Sequence, residues 1–344
     1  MKSKTLNGVT IFRFIAAFYV FIFHLNMRFH VDAPPWLLKV INNGAIGMTF
    51  FFVLSGFVMA WSSKNGIRNN YFKSRILRIY PAYFFMGIIS LPILLDLNYQ
   101  KITSALILFI SGTQSLIPAS FNIWNFSGSW SVSTEMFFYV TFPLLYPLIK
   151  KHPIHYLVVA YLISSFMIPI AYFIDGSPSF PYYYVSPLHR LPEFVVGVSV
   201  GVLFSEGRIN IKSTTAKAII SVASIMLLTL ISTRHNIGYM NSNFSTVMAT
   251  ALLLVVMASL SIKNEGVYIP FIYLGKISYS FYLMQIPIFL YIDKYKYLFE
   301  GYNSLYMWIL IGVVNLLISS FVYHFVEARF SMKNKESSVI SNIS

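Results

Sequence analysis

The 344-residue chain contains no cysteine, which excludes disulfide bonds, cysteine-held metal ions and thiol nucleophiles. Charge is also scarce, because Asp, Glu, Lys and Arg make up 10% of the residues, against about 25% in a typical soluble domain. Hydrophobic residues make up 57%. A chain of this composition cannot cover a water-facing surface, so the sequence predicts an all-α polytopic membrane protein surrounded by lipid.

Motifs of several enzyme classes are missing as well. The sequence has no Walker-type phosphate loop, no His-Glu-x-x-His zinc motif and no Gly-x-Ser-x-Gly nucleophile motif. The net charge of +14 could suggest a nucleic-acid partner. However, the basic residues lie in short runs between apolar segments, as the positive-inside rule predicts for membrane proteins. We therefore expect no metal site and no nucleic-acid partner.

Eleven apolar segments approach the roughly 20 residues that a bilayer-spanning helix needs. The first segment ends in His-Leu-Asn-Met-Arg without a cleavage site, so we expect it to remain as a transmembrane helix. Residues 1–330 are predicted to form one membrane domain, followed by a short polar cytoplasmic tail at 331–344. The segments lie near residues 9–27, 44–62, 79–95, 102–118, 134–149, 156–174, 190–205, 217–233, 244–262, 277–292 and 305–325.

Basic runs between these segments indicate how many of them cross the membrane. The runs begin with residues 2–4 and 63–78 and recur down to the tail. They can share the cytoplasmic side only if residues 79–133 cross the membrane once. We therefore predict about ten transmembrane helices with both termini cytoplasmic, and rank eleven spans second. Segment 102–118, which polar residues 111–115 interrupt, is then re-entrant, tilted or interfacial.

The first apolar segment carries a cation and an imidazole, Arg13 and His24, separated by ten apolar or aromatic residues. A charge inside the bilayer is costly, by about 2.5–3.5 kcal/mol for a central Arg. Eleven residues at roughly 100° each come to about three full turns, so both side chains share one helix face about 16 Å apart. The alternative is that Arg13 reaches the interface and His24 ends the helix.

Two acids fall within or at the edge of apolar segments. Glu135 follows Trp130 and Ser131 and opens a long helix, so it could serve the helix dipole or orient an imidazole or a sugar hydroxyl. Glu193 follows Arg190, which could be its ion-pair partner in a purely structural role. For both acids the structural and functional interpretations stay open.

Two short motifs suggest a ligand on the cytoplasmic side. Arg75 and Arg78 lie three residues apart, so they project from one side of a helix and suit bidentate binding of phosphates. Positive-inside topology is the simpler explanation of their charge. Ser55 and Gly56 form a small pair in the middle of an apolar segment, where a helix or a ligand could approach closely.

Taken in order, these motifs resemble those of the membrane acyltransferase-3 family, O-acyltransferases of about ten transmembrane helices. The resemblance covers nearly the whole chain. Thr10 departs from the acid often found before the opening Arg, and Met284-Gln285 from an aromatic-His pair. The matching motifs are Arg13-x10-His24, Phe-Phe-Val-Leu-Ser55-Gly56-Phe57, Arg75-Ile-Leu-Arg78-Ile-Tyr-Pro81, Trp130-Ser-Val-Ser-Thr-Glu135-Met-Phe-Phe-Tyr139, Leu191-Pro-Glu193-Phe, Leu274-Gly-Lys-Ile-Ser278-Tyr-Ser280-Phe-Tyr and Phe325-Val-Glu327.

The resemblance implies transfer of an acyl group, most often acetyl, from cytoplasmic acyl-CoA to a sugar hydroxyl. The acceptor would be a cell-surface polysaccharide such as O-antigen, capsule or exopolysaccharide, or its lipid-linked precursor. The enzyme would lie in the bacterial cytoplasmic (inner) membrane, holding no cofactor and using acetyl-CoA as donor substrate. A transporter or flippase of an anionic lipid-linked sugar stays open, although we find no internal repeat and such a protein does not need the Trp-Ser-x-Ser-x-Glu signature.

The resemblance also implies roles for the motif residues. His24 would be the general base on the acceptor hydroxyl or would itself be acylated, and the sequence does not separate these roles. Arg13 and Glu135 complete the expected catalytic group, with Glu135 orienting His24 or the sugar. The expected donor-binding residues are Arg75, Arg78, Ser55 and Gly56. The expected acceptor-binding residues are Trp130, Ser131 and Glu193.

Overall fold

The computed structural model of this chain describes residues 6–176, 180–234 and 238–330. Over these ranges the chain forms helices and turns and no strand, so the prediction of an all-helical fold is confirmed. The polar tail predicted at residues 331–344 and the basic N-terminal residues 2–4 lie outside the described ranges.

Each predicted apolar segment overlaps one helix of the structure. Two short helices, α2 and α8, are additional. A π-helix, Tyr323–Glu327, continues the last helix. In chain order the helices are α1 (Asn7–Arg28), α2 (Pro35–Ile41), α3 (Ile46–Ser62), α4 (Tyr71–Leu94), α5 (Tyr99–Ser111), α6 (Phe126–Lys151), α7 (Pro153–Asp175), α8 (Tyr182–Val185), α9 (Pro187–Ser205), α10 (Thr214–Arg234), α11 (Gly238–Ser259), α12 (Tyr268–Lys294) and α13 (Ser304–Val322).

Six helical segments of the described chain are long and apolar enough to cross a membrane, and a seventh is the pair α2–α3, bent by 41°. Helices α10 and α11 contribute shorter apolar stretches, Thr214–Thr229 and Asn243–Ser259. The protein is therefore a multi-pass membrane protein. Helix length and apolarity alone do not establish the predicted ten spans or the side of the termini. The six segments are Asn7–Arg28, Tyr71–Leu94, Phe126–Lys151, Pro153–Ile174, Tyr182–Ser205 and Ser304–Phe330.

The segment predicted to fall short of a full crossing contains helix α5. Its 13 residues reach about 20 Å, less than the roughly 30 Å hydrocarbon core. The helix ends at Gly112, whose positive φ of 65° is the left-handed conformation that suits glycine at a helix C-terminus. The chain then turns back against α6, where Ser115 Oγ lies 2.8 Å from Ser133 Oγ. The break predicted at residues 111–115 is therefore present.

Helices α3 and α9 pack so closely that their backbones are in contact. A Cβ on Gly56 would collide with the carbonyl oxygen of Phe194, and a Cβ on Gly197 would collide with that of Val53. Small residues are what allow such an approach between helices in a membrane. This contact fixes α3 as a central helix and turns the Ser55 side of that helix toward α4 and α6.

Helix α1 lies along α12 over most of its length. Near its N-terminal end the fit is again tight, because a Cβ on Gly275 would collide with the carbonyl oxygen of Thr10. Farther along, the ring of Phe21 lies 5.2 Å from that of Phe281 and 5.6 Å from that of Phe289, between ring centroids. These contacts hold α1 in a fixed rotation, which determines where Arg13 and His24 point.

Candidate active site

Helices α1, α3, α4, α6 and α12 enclose a cavity of about 90 Å³, which we call the basic cavity. The helices bring together residues that are up to 269 positions apart in the sequence, from Arg13 on α1 to Tyr282 on α12. Six of the ten site residues predicted from the sequence line this cavity, namely Arg13, Ser55, Arg75, Arg78, Ser131 and Glu135.

The two arginines of α4 lie side by side on the wall of the basic cavity, as their spacing predicts. The Arg75 guanidinium donates to Ser62 Oγ at 3.2 Å and lies 5.6 Å from the ring centroids of Tyr71 and Tyr139. Arg78 lies in the same wall, and α1 adds Arg13. Three guanidinium groups are therefore held around one small cavity.

Two carboxylates interact with this arginine cluster. Glu135 Oε1 accepts hydrogen bonds from the Tyr139 hydroxyl at 2.6 Å and from Ser55 Oγ at 3.3 Å. Glu327, in the π-helix, accepts one from Ser280 Oγ at 2.8 Å. Both carboxylates interact electrostatically with Arg13 and Arg78. Within the described chain, three cations thus meet two anions, which leaves a net positive charge for an anionic ligand to neutralise.

A second cavity, of about 430 Å³, contains His24, and we call it the histidine cavity. Its volume falls within the range of about 300–1,000 Å³ that is common for small-molecule sites. The His24 ring lies 5.8 Å from that of Phe289, centroid to centroid. Trp130, one of the predicted acceptor-binding residues, also lines this cavity, together with Tyr184 and Gln285.

Met48 and Tyr282 line both cavities and therefore form the partition between them. The Tyr282 hydroxyl donates to the carbonyl oxygen of Gly128 at 2.9 Å and lies 2.8 Å from Ser131 Oγ. Ser131 thus fixes the partition from the side of the basic cavity. Because Arg13 and His24 lie on one helix, about 16 Å apart along its axis, the two cavities follow each other along α1.

The structure assigns His24 and Glu135 to different cavities. The hydrogen bonds of Glu135 within the described chain go to Ser55 and Tyr139, both on the side of the basic cavity. The Glu135 carboxylate therefore does not orient the His24 ring in this structure. Its hydrogen bonds place it beside the arginine cluster instead.

Two other predicted site residues, Gly56 and Glu193, lie outside both cavity linings. Gly56 faces α9, where its missing side chain permits the helix contact described above. Glu193 is fully buried, and its Oε1 accepts from Arg190 at 2.7 Å and from Thr49 at 3.4 Å. The physical reason in both cases is that the α3–α9 packing, and not a cavity, covers these positions.

The buried ion pair nevertheless supports the histidine cavity from behind. The Arg190 guanidinium lies 5.7 Å from the ring centroid of Trp130 and 4.9 Å from that of Tyr184. Both rings line the cavity. Glu193 therefore acts on the predicted acceptor side only through Arg190 and the aromatic wall.

An ion pair at the histidine cavity was not predicted from the sequence. Arg28 Nε donates to Asp293 Oδ1 at 2.8 Å, and its Nη2 donates to Oδ2 at 2.5 Å. Arg28 also donates to the backbone carbonyl of His24 at 3.0 Å. Arg28 lies four residues after His24, which places it on the same helix face and could have identified it. Nothing in the sequence connects it to Asp293, 265 positions away.

The partition tyrosine and the second carboxylate were also missed as site residues. Tyr282 and Glu327 belong to motifs that carried the family resemblance, but their residue types alone pointed to no chemistry. Tyr139 could have been found, because it lies four residues after Glu135 and hence one helical turn away.

Known proteins resemble this chain in sequence over most of its length. The sequence profile of the acyltransferase domain matches residues 6–324. The acyltransferase MdmB of Streptomyces mycarofaciens is 26% identical over 313 residues, which cover 83% of this chain and 79% of that protein. The O-acetyltransferase OatA of Staphylococcus aureus is 23% identical over 367 residues, 96% of this chain but 58% of OatA. No solved structure matches the chain. The extent of the profile match shows that this protein belongs to the acyltransferase-3 family of membrane enzymes.

Proposed function

We propose that this enzyme transfers an acetyl group from acetyl-CoA to a sugar hydroxyl of a cell-surface polysaccharide, such as O-antigen, capsule or exopolysaccharide, or of its lipid-linked precursor. The observation that carries the proposal is the pair of cavities along α1. One is lined by three arginines and the other by a histidine among aromatic rings, and two side chains separate them.

The basic cavity receives the donor in this proposal. Arg75 and Arg78 bind the phosphates of coenzyme A, for which planar guanidinium groups are well suited. Arg13 continues the positive charge toward the partition. Ser55 and Glu135 hold one another in the cavity wall and adjust the position of the arginines. The pantetheine arm then reaches along α1 toward Met48 and Tyr282.

The histidine cavity receives the acceptor. As the hydroxyl oxygen attacks the thioester carbonyl carbon, His24 takes the hydroxyl proton, the carbon–sulfur bond breaks, and the coenzyme leaves as a thiol once the proton returns to sulfur. A neutral imidazole is suited to this proton transfer near neutral pH. Acylation of His24 followed by transfer to the sugar is the other route that these residues allow.

The proposed topology has ten spans in the bacterial cytoplasmic (inner) membrane, with both termini in the cytoplasm. The distribution of basic runs supports this arrangement. The short helix α5 and the turn after it support a segment that does not cross. In this orientation the arginine cluster faces cytoplasmic acetyl-CoA, and His24 lies deeper in the membrane.

A direct test supplies purified protein in lipid nanodiscs with acetyl-CoA labelled in the acetyl group and with polysaccharide from the host cell. We expect label in the glycan. The His24→Ala variant, at equal membrane abundance, should transfer at least about 100-fold less label. Exposed His155 on α7 offers a matched control, because His155→Ala leaves both cavity linings intact. Full transfer by His24→Ala would remove His24 from the mechanism.

A transporter or flippase of an anionic lipid-linked sugar is the alternative function. The bent pair α2–α3 and the short helix α5 favour it, since transporters often contain broken helices around a site in the membrane. The same experiment distinguishes the two functions. A transporter leaves the labelled acetyl-CoA unreacted, so no label enters the glycan.

A further inference from the structure

Gln285, on α12, is buried with 2% of its surface exposed and lines the histidine cavity. Its Nε2 donates to the backbone carbonyl of Tyr282 at 3.0 Å. A carbonyl oxygen can only accept, so this contact fixes the nitrogen on the Tyr282 side of the amide. The orientation of Oε1 follows, because the two atoms are bound to the same carbon.

Oε1 of Gln285 has no hydrogen-bond partner within the described chain. Of the buried side-chain atoms in this condition, it is the one that belongs to a residue of the histidine cavity. Buried polar atoms in folded proteins are nearly always hydrogen-bonded. An unpaired acceptor on a cavity-lining side chain therefore indicates that a ligand supplies the donor. Because Oε1 itself has almost no accessible surface, the ligand hydroxyl pairs with it once the amide turns toward the cavity.

The charges of the histidine cavity restrict what that ligand is. Arg28 and Asp293 form a bidentate pair, so their charges cancel. No other Lys, Arg, Asp or Glu of the described chain lines this cavity. Trp130 and Tyr184 contribute aromatic surface, which suits the apolar faces of a sugar ring. The cavity thus favours an uncharged ligand that carries hydroxyl groups.

We propose that the histidine cavity binds an uncharged glycosyl unit of the acceptor, and that Gln285 Oε1 accepts a hydrogen bond from a hydroxyl next to the one that is acylated. This inference rests on the proposed function, in which His24 takes the proton of the attacked hydroxyl. A hydroxyl group has one proton to donate, so Gln285 must bind a different hydroxyl. The bond fixes the rotation of the sugar ring and thereby selects the hydroxyl presented to His24.

The amide group of Gln285 also excludes a role for this residue as a general base. An aromatic-His pair often occupies this position in the family, and this chain has Met284-Gln285 instead. A carboxamide neither gains nor loses a proton near neutral pH, so Gln285 is no general base. In this proposal Gln285 binds the acceptor sugar and determines which of its hydroxyl groups is presented to His24.

The test uses purified protein in nanodiscs, labelled acetyl-CoA and pentyl glycosides of neutral hexoses, N-acetylhexosamines and hexuronic acids. For the best substrate, each remaining hydroxyl is replaced by hydrogen in turn. We expect one deoxy analogue to lose about tenfold or more in kcat/KM, as the loss of one well-placed hydrogen bond predicts. In Gln285→Met, whose side chain has a similar shape, that analogue and its parent should react equally well, with an unchanged KM for acetyl-CoA.

Gln100→Met is the matched control, because Gln100 is exposed on α5 and lines neither cavity. It should discriminate as the wild type does. Gln285→Asn serves as a second variant if Gln285→Met does not accumulate in the membrane. The asparagine amide is equally polar, but its side chain is one methylene shorter, so its oxygen lies out of reach of the sugar hydroxyl. It should also lose the discrimination.

Discrimination that persists in both Gln285 variants would overturn the proposal, as would a preference for the hexuronic acids. A wild-type scan in which no neighbouring hydroxyl matters would overturn it as well. In each of these cases the glycosides are still acetylated, so the proposed function survives. If the wild type acetylates no glycoside or polysaccharide, the proposed function fails and this inference fails with it.

Discussion

Replacing Arg75 and Arg78 by lysine separates donor recognition from membrane topology. Both residues line the basic cavity, and lysine keeps the positive charge that orients the chain in the membrane. What lysine loses is the planar fork that can give two parallel hydrogen bonds to one phosphate. We therefore expect normal insertion but weaker binding of coenzyme A.

The contacts of each arginine indicate how large the effect should be. A hydrogen bond to a charged group contributes about 1.5–3 kcal/mol, and 1.4 kcal/mol corresponds to a factor of ten. Losing one of two such bonds at Arg78 therefore weakens binding by about 10–150-fold. The loss of affinity at Arg75 should fall at the lower end of this range. One of its N–H groups already donates to Ser62, at the exposed edge of the cavity. The two effects need not add, since the side chains are neighbours.

The assay is the equilibrium affinity of purified variants in nanodiscs for coenzyme A. Arg68→Lys is the matched control, because Arg68 is exposed in the loop before α4 and lines neither cavity. Its affinity should equal that of the wild type. If the Arg75→Lys, Arg78→Lys double variant also binds with wild-type affinity, the two arginines serve topology alone and the donor site lies elsewhere.

Three further predictions concern α1, α3 and the rim of the histidine cavity. His24→Ala should lower acetyl transfer by about 100-fold or more while leaving coenzyme A affinity unchanged, and wild-type transfer should fall at low pH, where protonated imidazole cannot accept a proton. Gly56→Ala should destabilise the fold by about 1–3 kcal/mol or more in thermal unfolding, because its Cβ collides with α9 backbone. Gly312→Ala, whose Cβ meets an atom only at 3.8 Å, should not. Asp293→Asn should change stability by no more than about 1 kcal/mol, since the pair is partly exposed, yet improve transfer to hexuronic acid glycosides by freeing Arg28. Unchanged sugar preference in Asp293→Asn would contradict the charge argument.

Features that depend on one helix could be predicted from the sequence. The apolar segments give the helices, and the spacing of Arg13 and His24 places them on one face. The pair Arg75 and Arg78 follows in the same way, as does the break near Gly112. In each case the information lies within a few helical turns, where residue spacing alone determines the geometry.

Features that depend on how helices pack could not be predicted. Gly56 is adjacent to a cavity residue, but which helix it faces is decided by the contact with α9. Glu135 was expected to orient His24 or the sugar, and the rotation of α6 directs its carboxylate to the arginine cluster. The pair of Arg28 with Asp293 joins opposite ends of the chain. Such contacts depend on three-dimensional packing that one sequence does not contain.

The partition of Met48 and Tyr282 has a consequence for the fate of the donor. A thioester reacts with water as well as with a sugar hydroxyl, and water is far more abundant than the acceptor. Two side chains, one of them a hydrogen-bonded phenol, stand between the cavities, so solvent that fills the histidine cavity does not pass freely into the basic cavity. Excluding water in this way favours transfer over wasteful hydrolysis. In the proposed reaction, the same two residues would therefore determine the fraction of the acyl donor that yields product.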